Sequence, residues 1–437
     1  MATTSSERAP EGWIGTRVQN LRRVRDSGML NYPTVSLLFG KNSSGKTSLL
    51  RAPLILKQAL DLVQGNEAIL SGPYVDFGSY RDLVTDGLVS RDVEITAAIS
   101  PPSDFSRRAM RNRIHPLLQP LFDGMLLDVT IHWNQRAGQA QFQRIAYRSL
   151  DSGDSLVDLT RTGPESFRVD IGHDFSYSVP LPLSLMSTRF IDLPPHDSER
   201  DQVSLSLGLY YLSMSVQNAA ANLVHIGPLR EVPQRSYRTE QLAANTHGDS
   251  AVAVLRSGEG LKAIENSLRA LRMASEVKVQ KLAPGFVAVS LHDPESGRAD
   301  NLADVGFGVS QVLPILATLA TAARGSTILI EQPELHLHPE AQAALADELY
   351  GLAVARDLRL VIETHSEHLL LRFQRRVAEE AIPPEKLAVY FVDGGVVTRA
   401  EVDTFGQIDS KAMPDGFFEE DWEDLMGRTQ AAARRSQ

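Results

Sequence analysis

The chain has 437 residues, 43% hydrophobic and 22% charged, a composition with ample material for a packed core. It contains no cysteine, which excludes disulfide frameworks, thiolate metal sites, iron–sulfur clusters and cysteine nucleophiles. Lys and Arg number 44 against 54 Asp and Glu, a formal charge of −10. A surface that coats nucleic acid is thereby excluded, and only a local arginine patch is left as a route to it.

The length predicts two or three domain-sized units, or one large α/β domain carrying an insertion. No run of eighteen apolar residues occurs, so no membrane span is expected. Residues 1–10 are polar and lack the apolar stretch of an export signal, which predicts a cytoplasmic address. Val35–Phe39 is a short apolar run reaching Gly40, the pattern of a buried strand feeding a glycine loop. Residues 47–63 follow with Leu49, Leu50, Leu54, Ile55, Leu60 and Leu62 at helical spacing. Over residues 71–171 the period changes to two, in Val93-Glu94-Ile95 and in residues 127–133, 141–147 and 167–171, which predicts an antiparallel sheet. Helices are expected over 203–224 and 261–274, and a hairpin from 277–282 and 286–292 across Ala283-Pro284-Gly285. Beyond Asn301 the pattern predicts helix 309–323, strand 327–330, helix 341–353, strand 358–362, helix 367–377 and a final strand 387–392. Apolar strands alternating with helices argue for a parallel sheet with helices on its faces. The expected division is a core in two parts (12–70 and 301–400), a β-rich and helical insertion (71–300) and a tail (401–437).

Four motifs carry chemistry. Gly40-Lys41-Asn42-Ser43-Ser44-Gly45-Lys46-Thr47 matches the P-loop pattern at every fixed position. Its glycines let backbone N–H groups wrap a polyphosphate, Lys46 would reach the β- and γ-phosphates, and the Thr47 hydroxyl would hold Mg²⁺. Residues Gly40 through Ser48 are the candidate nucleotide cradle. Residues 326–339, Ser-Thr-Ile-Leu-Ile-Glu-Gln-Pro-Glu-Leu-His-Leu-His-Pro, form an apolar strand ending in Glu331, the Walker B arrangement. Residues 304–311 place Gly306, Gly308 and Ser310 at a helix start, open to an anion or simply capping the helix. Glu363-Thr364-His365-Ser366 ends the next apolar strand, where His365 is either a γ-phosphate partner or structural. His336 and His338 alternate as metal ligands can, but no third ligand accompanies them. Arg230 is a candidate either for the nucleotide site or for an internal salt bridge. Three arginine clusters stand out: Arg22, Arg23 and Arg25; Arg107, Arg108, Arg111 and Arg113; and Arg372, Arg375 and Arg376.

The order and spacing of these motifs resemble the ABC-type ATPase heads. Within that class the chain is similar to the SMC/RecF-related branch and to the bacterial AAA-type ATPases related to the OLD nuclease ATPase domain. Residues 331–339 carry the resemblance most specifically, supported by 39–47, 306–314, Ile226-Gly227-Pro228-Leu229-Arg230 and Pro414-Asp415-Gly416-Phe417-Phe418. It implies an α/β P-loop head with a mostly parallel core sheet flanked by helices, an antiparallel β lobe and a helical insertion. It implies ATP and Mg²⁺ as cofactors, the metal held by Thr47 and Glu331, and slow hydrolysis served by Glu331, Glu334 and His365. Two copies would close head-to-tail, as a homodimer or within a higher oligomer, with Gly306, Gly308 and Ser310 of one facing the nucleotide of the other. Such heads regulate a separate effector, for instance a nuclease, in anti-phage defence or DNA repair. Two departures stand out. The signature lacks the Ser-Gly-Gly run, which leaves Gly306 as an alternative contact. Gln332 occupies the position of the water-activating Glu, and an amide cannot take the proton. Glu334 replaces it if the turn at Pro333 swings it inward. The competing readings are an ATP-gated scaffold with negligible turnover, a direct DNA clamp and a transporter subunit. No Toprim-like acid pair follows His365, so the chain is not expected to be a nuclease itself.

Overall fold

A strand buried along its whole length needs cover on both faces, and Val35–Phe39 is buried at every position. The computed structural model describes residues 11–61, 68–101, 112–164, 166–173, 175–180, 199–230, 232–239, 251–409 and 412–413. In it this strand lies between Arg359–Glu363 and Leu387–Asp393, parallel to both. The full order is Leu223–Ile226, Thr327–Glu331, Arg359–Glu363, Val35–Phe39, Leu387–Asp393 and Val396–Ala400. The first five run parallel and the last turns back antiparallel.

Successive side chains of a strand point to opposite faces, and here that alternation sorts the core into two clusters. Leu38, Leu329 and Val361 join the cluster containing the P-loop helix Lys46–Asp61. Leu37, Phe39, Ile328, Ile330, Leu360 and Ile362 join the one containing helices Phe307–Thr321, Pro339–Arg356 and Glu367–Ala378. By the same parity Glu331 and Glu363, which end their strands in register with each other, stand on the P-loop helix side.

The P-loop helix side is closed by a nine-stranded antiparallel sheet. It includes Val93–Ser100, Met125–Asn134, Gln139–Ser149, Ser155–Gly163, Ser166–Ile171 and Phe175–Pro180. Met125, Leu127, Val129 and Ile131 alternate inward from one strand and meet helix Glu199–Ala221 in the core. A smaller sheet is built on the Glu276–Ala283 and Phe286–His292 hairpin.

Three expectations are corrected. The helix expected over 203–224 ends at Ala221, and Leu223–Ile226 is the edge strand of the parallel sheet. Gly12–Leu21, which the sequence reading left without an element, pairs with Val93–Ser100 inside the antiparallel sheet. Leu387–Asp393 is not the final strand, because Val396–Ala400 pairs back on it. The two sheets therefore cut across the division expected at residues 71 and 300. Pro414 to Phe418 lie outside the described residues. Among the described residues no helix is long and apolar enough to cross a membrane.

The returning hairpin bears on the P-loop. Its turn residues Gly394 and Gly395 have φ of 54° and 87°, as a tight two-residue turn requires. The Gly395 N–H donates to the Ser44 carbonyl at 3.1 Å. A Cβ on Gly395 would run into the Arg23 carbonyl, and one on Gly40 into that of Val392. Gly395→Ala should therefore cost about 2–4 kcal/mol through overpacking and left-handed strain. Thermal unfolding should show a clearly lowered midpoint, whereas an unchanged midpoint would show the contact to be dispensable.

Candidate functional site

The site lies where the parallel strands end, the usual position for ligands in open α/β sheets. Lys46 is 3% exposed, and its Nζ donates to the Gly40 and Lys41 carbonyls, each at 2.8 Å. Burial depresses its pKa, with Glu363 and Glu334 pulling it back up. An ammonium desolvated to this degree and held by neutral carbonyls is poised to exchange them for anionic oxygens. Ser44 Oγ, buried in the same loop, has no hydrogen-bond partner.

Behind the loop, three carboxylates meet four basic side chains. Glu331 accepts two hydrogen bonds from Arg51, Nε at 2.6 Å and Nη2 at 2.7 Å, and lies 2.6 Å from His225 Nε2. Burial would raise its pKa, but His225 and Arg51 more than offset this and hold it below the ordinary carboxylate value. Glu363 accepts from the Thr47 hydroxyl at 2.8 Å, and its other oxygen is unpartnered although the residue is only 5% exposed. Its pKa is raised by burial, against the Thr47 hydrogen bond. The turn at Pro333 brings Glu334 inward, 7% exposed, where Oε1 accepts from the His365 backbone N–H at 2.8 Å and Oε2 has no partner. Burial raises its pKa as well. Arg230 donates to the Glu331 carbonyl at 2.7 Å, leaves Nε and Nη1 buried without partners, and is pushed down to about 10 by burial. His365 is shifted down by burial and by the nearby Lys46 charge. Unpartnered buried polar atoms are rare in folded proteins, and their convergence on one loop marks a place where a polar ligand belongs.

Gln332 takes a φ of 42° and donates its backbone N–H to the Glu363 carbonyl at 2.7 Å. That kinked residue makes the turn which swings Glu334 toward His365. At the signature segment, Ser310 is buried and donates its hydroxyl to the Phe307 carbonyl at 2.7 Å. Gly308 lies under the His336 carbonyl, where a Cβ would come within 3.0 Å of that oxygen and of the Leu337 side chain. Gly306 is exposed, caps helix Phe307–Thr321 and has open space around it, so it is the member of the trio with a free face. The His336 ring meets Phe307 edge-on at 4.7 Å, and His338 caps helix Pro339–Arg356. The arginines of the last basic cluster are neutralised: Arg372 and Arg376 bond Asp347, and Arg375 and Arg376 bond Glu379. Arg22 stacks on Phe77. Arg107, Arg108 and Arg111 lie outside the described residues.

The sequence reading singled out Glu331, Glu334, His365 and the P-loop, and the fold gathers them. It missed Glu363, Arg51 and His225. The available signal was positional: an acid ending the strand that follows Walker B, and an arginine one helical turn beyond Thr47.

Residues 182–372 match the family model described as "AAA domain, putative AbiEii toxin, Type IV TA system". The matched region holds Glu331, Glu334, His365 and the signature segment, while the P-loop precedes it. No curated protein matches the chain. Among solved structures, an SMC head bound to the C-winged helix domain of ScpA aligns over 92% of this chain and 100% of its own, at 10% identity and a TM-score of 0.47. The SMC head domain from Thermotoga maritima aligns over 90% and 99%, at 10% identity and 0.40. An SMC head with an extended coiled coil, bound to the C-terminal domain of ScpA derived from Pyrococcus furiosus, aligns over 90% and 96%, at 8% identity and 0.45. Similarity at that level does not decide the class. What stands is a likeness to an AAA domain over residues 182–372, together with a P-loop sequence at the end of a parallel strand and an acid-ended strand in the same sheet.

Arg51→Ala would leave the 3%-exposed Glu331 with His225 as its remaining side-chain partner. The expected loss is about 2–4 kcal/mol, as when one partner of a buried ion pair is removed. Chemical denaturation measures it, and a change below about 0.5 kcal/mol would place the pair among surface bridges.

Proposed function

We propose that this protein binds ATP with Mg²⁺ at residues 40–48, hydrolyses it slowly, and closes head-to-tail with a second copy to control a separate effector. The observation that carries this reading is the set of unpartnered buried groups around the P-loop: Ser44, Glu334, Glu363 and Arg230. The donor set fits a metal triphosphate, with backbone amides and Lys46 for phosphate, and a hydroxyl and carboxylates for a hard cation. Bound magnesium supplies charge neutralisation on the phosphates. Lys46 exchanges the Gly40 and Lys41 carbonyls for phosphate oxygens. Glu334, with one oxygen unengaged and its pKa raised by burial, accepts the proton of the attacking water. His365 stays neutral near pH 7 and offers a ring hydrogen bond. Exposed Gly306, beside the half-exposed Phe307, contacts the partner copy's nucleotide in place of Ser310. A nuclease-like effector in anti-phage defence or DNA repair, in the cytoplasm, follows from the likeness to OLD-related ATPases. The matched family's description as a toxin of a toxin–antitoxin system is in keeping with defence.

Gln332 favours a second reading, in which ATP holds the dimer shut and turnover is negligible. Radiolabelled ATP should bind the wild type and be lost with Lys46→Ala; equal binding would end the nucleotide reading. Phosphate release should fall about a hundredfold or more in Glu334→Gln if Glu334 is the base. No release by either protein despite tight binding favours the scaffold. Light scattering should show the mass doubling with a slowly hydrolysed ATP analogue and no change in Lys46→Ala, whereas a mass indifferent to nucleotide would remove the sandwich.

A further inference from the structure

The two acids at the sheet edge are not equivalent. Glu363 ends the strand directly beside the P-loop strand, in register with Leu38, whereas Glu331 lies one strand farther away, about 4.8 Å in the hydrogen-bonding direction. Both face the P-loop helix. An ionised carboxylate offers about four acceptor positions. Glu331 has three of its positions taken, two by the Arg51 fork and one by His225, so the charge that would draw a cation is already met. Glu363 receives a single bond, from the neutral Thr47 hydroxyl, and its Oε2 is buried with no partner. Thr47 can keep donating its proton to Glu363 Oε1 while its own lone pairs face a cation, which leaves Oε2 for the metal or a water bound to it.

From this asymmetry, and resting on the nucleotide reading above, we infer that Glu363 rather than Glu331 is the carboxylate that serves magnesium together with Thr47. Glu331 is a positioning residue that anchors Arg51 and His225 beneath the site. Among the described residues no group of three or more His, Cys, Asp or Glu side chains is arranged to hold a metal alone. A magnesium ligated largely by phosphates and water needs one or two carboxylates. The Walker B motif is thereby split: its strand is kept, and its metal-facing charge is moved to the neighbouring strand.

The test measures affinity for a fluorescent ATP analogue in excess Mg²⁺ and in EDTA, for the wild type, Lys46→Ala, Glu363→Gln and Glu331→Gln. Binding of Mn²⁺ in the presence of the analogue is followed by electron paramagnetic resonance. The wild type should bind more tightly with Mg²⁺. Glu363→Gln should keep its affinity in EDTA, lose at least tenfold of the gain from Mg²⁺, and bind Mn²⁺ correspondingly more weakly. Glu331→Gln should unfold at a lower temperature and keep the metal gain within about twofold. A full metal gain in Glu363→Gln overturns the inference, whatever the stability of Glu331→Gln, as does loss of the gain in a folded Glu331→Gln. Nucleotide binding by neither the wild type nor any variant, in either condition, would sink the underlying nucleotide reading instead.

Discussion

Two carboxylates in register on adjacent parallel strands cannot both stay charged in a dry interior unless cations face them. At a strand spacing of about 4.8 Å and an effective dielectric near 20, their repulsion is roughly 3–4 kcal/mol. Glu331 and Glu363 are such a pair, and much of the site is arranged to meet that demand. Arg51 comes from the P-loop helix and His225 from the edge strand, and both go to Glu331. Lys46 and the Thr47 hydroxyl lie toward Glu363. The P-loop helix must therefore sit where its residues 46 and 47 reach Glu363 while residue 51 reaches Glu331. This fixes the loop relative to the sheet more tightly than apolar packing alone would.

Much of this was legible in the sequence because its signals are local. The P-loop, the apolar runs at Val35–Phe39 and 327–330, and the 3.6-residue spacing of the helices each declare themselves within a dozen residues. What failed to show was decided by distant partners. Leu223–Ile226 follows a helix after one residue and carries a histidine, so nothing nearby separates it from the helix; pairing with Thr327–Glu331 makes it a strand. Gly12–Leu21 shows no clean alternation because it is largely covered along its length and bulged between Trp13 and Gly15. Val396–Ala400 is mostly exposed and has no apolar signature.

The site divides in the same way. Glu331, Glu334 and His365 belong to recognisable patterns, whereas Glu363 precedes the histidine in a position where a pattern expects a filler residue. Its importance depends on strand order, since only a strand adjacent to Val35–Phe39 can present an acid to Thr47. Ser310 illustrates the converse. The resemblance gave it a role facing another copy, while its hydroxyl serves its own helix.

The grip of the Gly394–Gly395 turn on Ser44 has a bearing on how the protein is made. Residues 40–47 precede in the chain both strands flanking Val35–Phe39 and the turn that braces the loop. A nascent chain emerges from its N-terminus first, so this loop is made before the neighbours that shape it. A chain cut before Arg359 would keep the loop's sequence but have neither strand that flanks Val35–Phe39.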